Sequence, residues 1–448
     1  MGILLVLCLV LVSPLAAQEE RAIGNFAGVG VRAMGMGGAY VGVADDFTAV
    51  FWNPAGLAQI TERQMQMSFQ SNSFNSKSLK AGTPSSSDLG NTRFGSLGVV
   101  FPYPHVERGS LVFAAGFNRI KDFDRTVRFQ QTIVTTATND AQEEIEITLD
   151  EDNSFPNEGE LAALSLATAV DVSPYTSLGL AIHRISGENK AINTFNDVDN
   201  LDLYFENRWT KQNTFTDDYN GVWTALLGAF IRFPREAPRI RLGATVGTGA
   251  THKINYVFKG VPSDENYNQI EFDDGSLIQT PTEEIKDSYK LSLPLEVGAG
   301  VSFNPHESLL VSGSAHFAAW SQAEYKGSDE NDLRSTASFK EQYKDQTRYH
   351  VGVEWLVPFI ALDLRAGYYS DPLPFVGPRD PNLSVSADNP LIVINQDRRF
   401  FTLGSSLLFD EVVQLNVAWN RGGFKQSEGN ASEDNTISRL LVGVSYGF

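Results

Sequence analysis

From residue 64 to the C-terminus, apolar residues alternate with polar or small ones in blocks of about ten. Val413, Leu415, Val417 and Trp419 alternate with Gln414, Asn416, Ala418 and Asn420. Leu295, Val297, Ala299, Val301 and Phe303 alternate with Glu296, Gly298, Gly300 and Ser302. Tyr349, Val351, Val353 and Trp355 alternate with His350, Gly352 and Glu354. A period of two means strands with one apolar and one polar face. On this reading fourteen strands lie near 64–75, 93–103, 109–123, 160–171, 175–187, 220–233, 238–258, 287–303, 308–326, 343–356, 360–371, 397–409, 412–426 and 436–448. Six links are short: Pro104–Arg108, Val172–Pro174, Pro234–Ala237, Asn304–Glu307, Val357–Phe359 and Asp410–Glu411. Seven are longer and polar, at 76–92, 124–159, 188–219, 259–286, 327–342, 372–396 and 427–435. Short and long alternate, so every long loop emerges at one end. This predicts an all-β chain, a 14-stranded antiparallel transmembrane β-barrel over 64–448.

The apolar face has two possible directions. A water-soluble sandwich turns it inward, and a membrane barrel turns it out to lipid. Fourteen strands are many for one sandwich. Aromatics gather near strand ends (Phe101, Tyr103, Phe230, Phe233, Trp355, Phe359, Tyr368, Tyr369, Phe400, Phe401), as an interfacial girdle requires. The last strand sets Leu440, Val442, Val444, Tyr446 and Phe448 on one face. A closed barrel satisfies its backbone inside lipid without an edge. The expected address is the outer membrane of a Gram-negative bacterium.

Composition narrows the classes. The chain carries 35 Lys+Arg against 54 Asp+Glu, a formal charge of −19, which argues against a nucleic-acid partner. One cysteine excludes a disulfide framework and a Cys-based zinc site. Residues Ile3–Leu15 form one apolar run, too short for a comfortable span and followed by Ala16-Ala17. It reads as a signal peptide over 1–17, cut after Ala17, although no Lys or Arg precedes it. Leu7 before Cys8 does not suit lipoprotein processing.

Residues 18–63 do not alternate. They contain the Gly-rich run Gly35–Gly38, the step Ala44-Asp45-Asp46, and Asn53-Pro54-Ala55-Gly56-Leu57. This string resembles the start of the FadL/TodX family of outer-membrane transporters of hydrophobic compounds. It is also similar to the PorV-like branch, associated with a protein secretion system. The resemblance implies that 18–63 form a hatch inside the barrel lumen. Glycine permits such compact folding. Asp45 and Asp46 can cap a short helix over Phe47–Trp52 or pair with lumenal arginines. Asn53-Pro54 should end that helix.

The resemblance implies passive uptake of hydrophobic small molecules, such as long-chain fatty acids or aromatic hydrocarbons, by a monomer with no cofactor. The alternative is a PorV-like scaffold binding protein cargo. Phe26, Tyr40, Phe47, Phe51 and Trp52 are candidate pocket walls or packing of hatch on barrel. The exit strand would be 109–123, weakest at Ala114-Ala115-Gly116. On the strand register Arg241, Glu296, His350, Glu354, Asp363 and Arg365 face the lumen, either bracing it or holding a ligand carboxylate. Tyr446 and the terminal Phe448 resemble the signal read by the outer-membrane assembly machinery. Outer-membrane lipid and lipopolysaccharide are the expected surroundings. Residues 124–159 carry nine Asp/Glu and two Arg, a charge suited to solvated loops or divalent bridging to lipopolysaccharide. Asp150-Glu-Asp-Asn lacks the glycine of an EF-hand. No His-Glu-x-x-His motif occurs, and no enzymatic activity or metal is expected.

Overall fold

A computed structural model describes residues 25–103, 110–138, 144–199, 206–234, 238–262, 265–326, 343–374 and 392–448. The expected signal peptide over 1–17, the start of the 18–63 segment and the links at 104–108, 235–237, 327–342 and 375–391 lie outside the described residues.

Fourteen antiparallel strands close on themselves. They are β1 (Gln64–Lys80), β2 (Thr83–Pro102), β3 (Leu111–Asp122), β4 (Asn157–Asp171), β5 (Thr176–Val198), β6 (Glu206–Phe233), β7 (Ile240–Gly247 and Ala250–Gly260), β8 (Glu283–Leu293 and Glu296–His306), β9 (Leu309–Ala318, resumed at Glu324–Lys326), β10 (Gln346–Leu356), β11 (Leu362–Asp371), β12 (Ile392–Phe409), β13 (Val413–Glu428) and β14 (Ala431–Gly447). β14 pairs with β1 from Gln64↔Gly447 to Lys80↔Ala431, and this ladder seals the barrel.

The direction of the alternation settles the solvent. On β13, Leu415, Val417 and Trp419 are exposed while Asn416 and Asn420 are buried. On β14, Leu440, Val442 and Tyr446 are exposed while Arg439 is buried. Apolar faces outward and polar faces inward are the reverse of a soluble sandwich, and they fit lipid around the wall. Exposed aromatics mark two rims. Phe101, Tyr103, Phe233, Phe303, Trp355, Phe409, Tyr446 and Phe448 ring the short-turn end, and Trp223, Phe317, Tyr349, Phe401 and Trp419 ring the other. Three residues expected in the girdle differ. Phe230, Tyr369 and Phe400 are buried in the lumen, because the pleat alternates and each has the opposite parity to its exposed neighbour.

Several expected long loops are strand. β1 and β2 continue through 71–95 to a turn at Ala81-Gly82, β5 and β6 extend far past the apolar band, and β13 turns into β14 at Gly429-Asn430. Residues 124–159 contain a hairpin of Arg128–Thr138 with Glu144–Ser154, and Gln269–Phe272 pairs with Leu277–Gln279. Outside the membrane no lipid selects an apolar face. The strands continue there without the pattern that announces them.

Residues 25–60 fold inside the barrel. Short helices α1 (Val31–Gly35) and α2 (Ala49–Trp52) and a 3-10 turn (Pro54–Gln59) are joined by glycine-rich bends. The wall admits this segment because strand after strand presents a glycine to it. A Cβ built on Gly243 would stand 2.1 Å from the Val41 carbonyl oxygen, one on Gly352 2.2 Å from that of Met36, and one on Gly367 2.4 Å from the Gly37 nitrogen. Gly98 and Gly116 leave room for the Phe47 ring, and Gly179 for Pro54 and Ala55. Backbone meets backbone nearly all the way round, which no larger residue permits.

Candidate functional site

The inner segment divides the lumen. Toward the short turns, Asp45, Gln59, Glu62, Arg232 and Arg241 border a polar vestibule. Toward the long-loop end lies a second cavity of about 200 Å³, and this is the candidate site. Its floor is Phe26, Phe51 and Trp52 of the inner segment, and its apolar walls include Ile120, Leu161, Ile185, Leu226, Leu293 and Val297. Lys121, Arg348, Glu296, Asn118, His183, His252 and His316 also line it. Above it Phe123, Tyr219, Tyr289, Leu291, Trp320 and Tyr343 form a buried apolar collar, with Phe123 and Tyr219 stacked at 5.8 Å.

Trp52 fixes the floor. Its indole N–H donates to the Val29 carbonyl at 2.9 Å, and its ring makes edge contacts with Phe26, Phe51, Tyr40, His316 and His350 at 5.2–6.3 Å. Phe51 is only partly buried and turns to the cavity. Phe26 is held at its backbone. Its N–H donates to the Asp371 carboxylate at 3.0 Å and its carbonyl accepts from Arg439 at 3.0 Å. Asp371 also binds Arg348 and Arg398, at 2.8 and 3.0 Å. Lys121 donates from Nζ to the Asn25 carbonyl at 2.8 Å. Asn118 is buried, and among the described residues neither its amide atoms nor the His252 Nδ1 has a hydrogen-bond partner.

The other expected residues fall elsewhere. Tyr40 and Phe47 are fully buried in packing and line no part of the cavity. Asp46 accepts from the Thr48 backbone N–H at 2.8 Å just before α2, while Asp45 pairs with Arg32 of the same segment rather than with a wall arginine. Burial raises the Asp46 carboxyl above its ordinary range, opposed by the Thr48 hydrogen bond and Arg32. Asn53 turns extended after Trp52, caps the Ala55 N–H at 3.2 Å, and bonds the Val41 and Ala229 carbonyls through Nδ2 at 3.1 Å each. Pro54 and Ala55 lie against Gly179 and Gly228. His350 donates from Nδ1 to the Gly37 carbonyl at 2.7 Å. Glu354 joins Arg32 to Arg365, and Arg365 reaches Asp363 at 3.1 Å. These polar groups brace the inner segment. Glu296 alone among the six wall candidates lines the cavity, while Arg241 lines the vestibule below. Gly116 lies in a strand paired continuously to β2 and β4 beside it, with Phe47 filling the space over it. No gap exists in the wall there.

Cavity residues that sequence reasoning missed, such as Asn118, Lys121, His252 and Arg348, come from separate strands, these four from β3, β7 and β10. No spacing along the chain links them. The string Gly443-Val-Ser-Tyr-Gly447 has the spacing of a hydrolase nucleophile elbow, but it runs through β14 between β13 and β1 with no helix after it. Among the described residues no group of three His, Cys, Asp or Glu could hold a metal ion.

A closed fourteen-stranded barrel, apolar outside and occupied by its own N-terminal segment, defines an outer-membrane barrel of the Gram-negative kind. Residues 241–446 match the family described as "Outer membrane protein transport protein (OMPP1/FadL/TodX)". Among solved structures, a FadL homologue of Pseudomonas aeruginosa is 14% identical with a TM-score of 0.58, covering 94% of this chain and 98% of its own. The toluene transporter TodX of P. putida is 12% identical with a TM-score of 0.56, covering 95% and 99%. The CymD monoaromatic hydrocarbon channel is 13% identical with a TM-score of 0.52, covering 95% and 98%. No functionally curated protein matches the sequence significantly. The C-terminal part of the chain, over 241–446, is thus similar to the FadL/TodX family, and the whole described barrel shares its fold.

Proposed function

We propose that the protein carries hydrophobic small molecules across the outer membrane by passive diffusion down their own gradient. One observation carries this reading: an apolar cavity sits inside the lumen, entered past an aromatic collar and floored by a segment that obstructs the straight path. Cavities of this composition bind by partition, and a few polar groups orient the ligand. The substrate class we favour has an apolar body and one polar end, as a long-chain carboxylate has. Phe26, Phe51, Trp52 and Leu293 would face the body, and Lys121, Arg348 and Asn118 the polar end. TodX and CymD are named for toluene and monoaromatic hydrocarbons, which supports an apolar cargo of some kind.

Four further proposals accompany it. Residues 1–17 are removed on export, and 18–63 act as the hatch. The exposed, stacked Tyr446 and Phe448 at 5.6 Å present the assembly signal on the lipid side. The barrel works as a monomer. Native mass spectrometry of the barrel from its own membrane tests the function. A co-purified lipid or hydrocarbon, lost on Phe51→Ala, is the expected result. An empty cavity with a stoichiometric protein partner would contradict it and favour a secretion scaffold.

A further inference from the structure

The cations that line the cavity are already engaged within the protein. Lys121 donates to the Asn25 carbonyl at 2.8 Å, and Arg348 pairs with Asp371 at 2.8 Å. Ser165 and His183 hold each other, Oγ to Nδ1 at 2.8 Å. Asn118 differs. It lines the same cavity and is 1% exposed, yet among the described residues neither Oδ1 nor Nδ2 has a hydrogen-bond partner. Native proteins rarely bury a polar side chain in this condition unless water or a ligand completes it.

The fold explains why no neighbouring side chain reaches it. β3 turns its even-numbered residues to the lumen: Val112 and Ala114 are buried while Phe113 is exposed, and a Cβ on Gly116 would run into the Phe47 ring. Asn118 is the next inward position, one pleat beyond the seat of Phe47, so it stands past the packed inner segment and on the cavity. Its cross-strand neighbours are Ser96 of β2 and Ala163 of β4. Ser96 is bonded to Ser68 at 2.6 Å, and Ala163 has no polar side-chain atom. The register then shifts between Arg119 and Lys121, a bulge that leaves Ile120 without a partner on β4. Ile120 also lines the cavity, so an apolar residue separates Asn118 from the Lys121 ammonium along the strand. Asn420 gives the contrast. It too is buried with neither amide atom bonded among the described residues, but it lines neither this cavity nor the vestibule.

We infer that Asn118 is a subsite for an uncharged oxygen, the hydroxyl of an otherwise apolar alcohol or phenol. The amide donates from Nδ2 and accepts at Oδ1, and a hydroxyl both accepts and donates, so the two can meet in either sense. A carboxylate only accepts, and a hydrocarbon does neither. A site that hydrogen-bonds one group of its ligand discriminates against the analogue lacking that group, because the buried amide is then left without a partner. This inference rests on the transport reading. It extends the polar end of the ligand from a carboxylate beside Lys121 and Arg348 to a neutral hydroxyl at Asn118.

The test compares two ligands that differ by one hydroxyl. Radiolabelled toluene and 4-methylphenol are titrated onto the full barrel in detergent, with partition into protein-free micelles subtracted, for the parent, Asn118→Leu and Asn420→Leu. Dodecanoate is titrated alongside as the test of transport-type binding itself. Comparing the ratio of the two affinities between proteins cancels their difference in hydrophobicity, as a double-mutant cycle does. The parent should prefer 4-methylphenol, and Asn118→Leu should lose roughly tenfold of that preference. The loss should come from both sides, with 4-methylphenol bound more weakly and toluene more tightly. Asn420→Leu should keep the preference. Heat-modifiable gel mobility confirms folding, and Asn118→Ala carries the same expectation should the leucine variant not fold. An equal preference in the parent and in the Asn118 variants, with the ligands bound, overturns the subsite alone. No binding of toluene, 4-methylphenol or dodecanoate by the folded parent overturns the transport reading and the subsite with it.

Discussion

Arg32 and Glu354, 322 residues apart, form a two-pronged ion pair in which Nε and Nη2 each donate to one carboxylate oxygen at 2.7 Å. One partner belongs to the inner segment and the other to β10. Glu354 is nearly inaccessible and also accepts from Arg365. Removing the carboxylate leaves the half-buried Arg32 with Asp45 alone and the buried Arg365 with Asp363 alone, and breaking a buried pair of this kind costs about 3–5 kcal/mol. Glu354→Leu should therefore lower the thermal midpoint on heat-modifiable gels. It should also raise current noise in planar bilayers, because the lost tie holds the inner segment rather than the barrel wall. A quiet bilayer trace would place the restraint elsewhere.

Phe51 and Trp52 are adjacent but should behave differently. Trp52 is locked by its hydrogen bond to Val29 and by five ring contacts, so Trp52→Ala should cost about 3–5 kcal/mol of stability. Phe51 is partly open to the cavity. Phe51→Ala should leave the thermal midpoint nearly unchanged and weaken dodecanoate binding by roughly tenfold, the loss of about 1.4 kcal/mol of apolar contact. Fluorescence titration beside a melting curve separates the two.

The glycine seats make a steric prediction. At Gly352 a Cβ would meet the Met36 carbonyl at 2.2 Å, and neither backbone can yield. Gly352→Val should dislodge the inner segment and open an ion-conducting path, at a cost of at least about 1–3 kcal/mol. Gly90→Val, whose nearest neighbour would stand 3.9 Å away, should conduct and melt like the parent protein.

Asp46 gives a pH dependence. Burial raises its carboxyl above the usual value, so the folded protein binds this proton more readily than the unfolded chain does. Its contribution to stability is full below the unfolded carboxylate pKa of about 3.9, and is lost as pH rises through the higher folded value. Asp46→Asn keeps an oxygen for the Thr48 N–H and removes the titration. The variant's melting temperature should fall less than the parent's between acid and neutral pH. An identical slope would show that Asp46 stays charged throughout.

The strand count was legible because lipid imposes an apolar residue at every second position over each crossing. The extramembrane halves of β1, β2, β5 and β6 were not, because water imposes nothing of the kind. The inner segment announced itself through Gly35–Gly38 and Asn53-Pro54-Ala55, but the ten-fold spread of glycines that seat it looks like ordinary small-residue spacing until the strands are closed. The cavity was half legible. Phe51 and Trp52 stand out beside the motif, whereas Asn118, Lys121, His252 and Arg348 meet only in three dimensions. The break in β7 was hidden for a further reason: alternation continues on both sides of Thr248-Gly249 and only its parity changes.

The central claim is that a hydrophobic molecule crosses this barrel while ions do not. The direct measurement is entry of radiolabelled dodecanoate into proteoliposomes, with planar-bilayer conductance recorded on the same preparation. The account predicts saturable entry well above that of protein-free vesicles, reduced by Phe51→Ala, with no steady open-pore current. Entry equal to that of protein-free vesicles, or a steady ohmic pore, would contradict it.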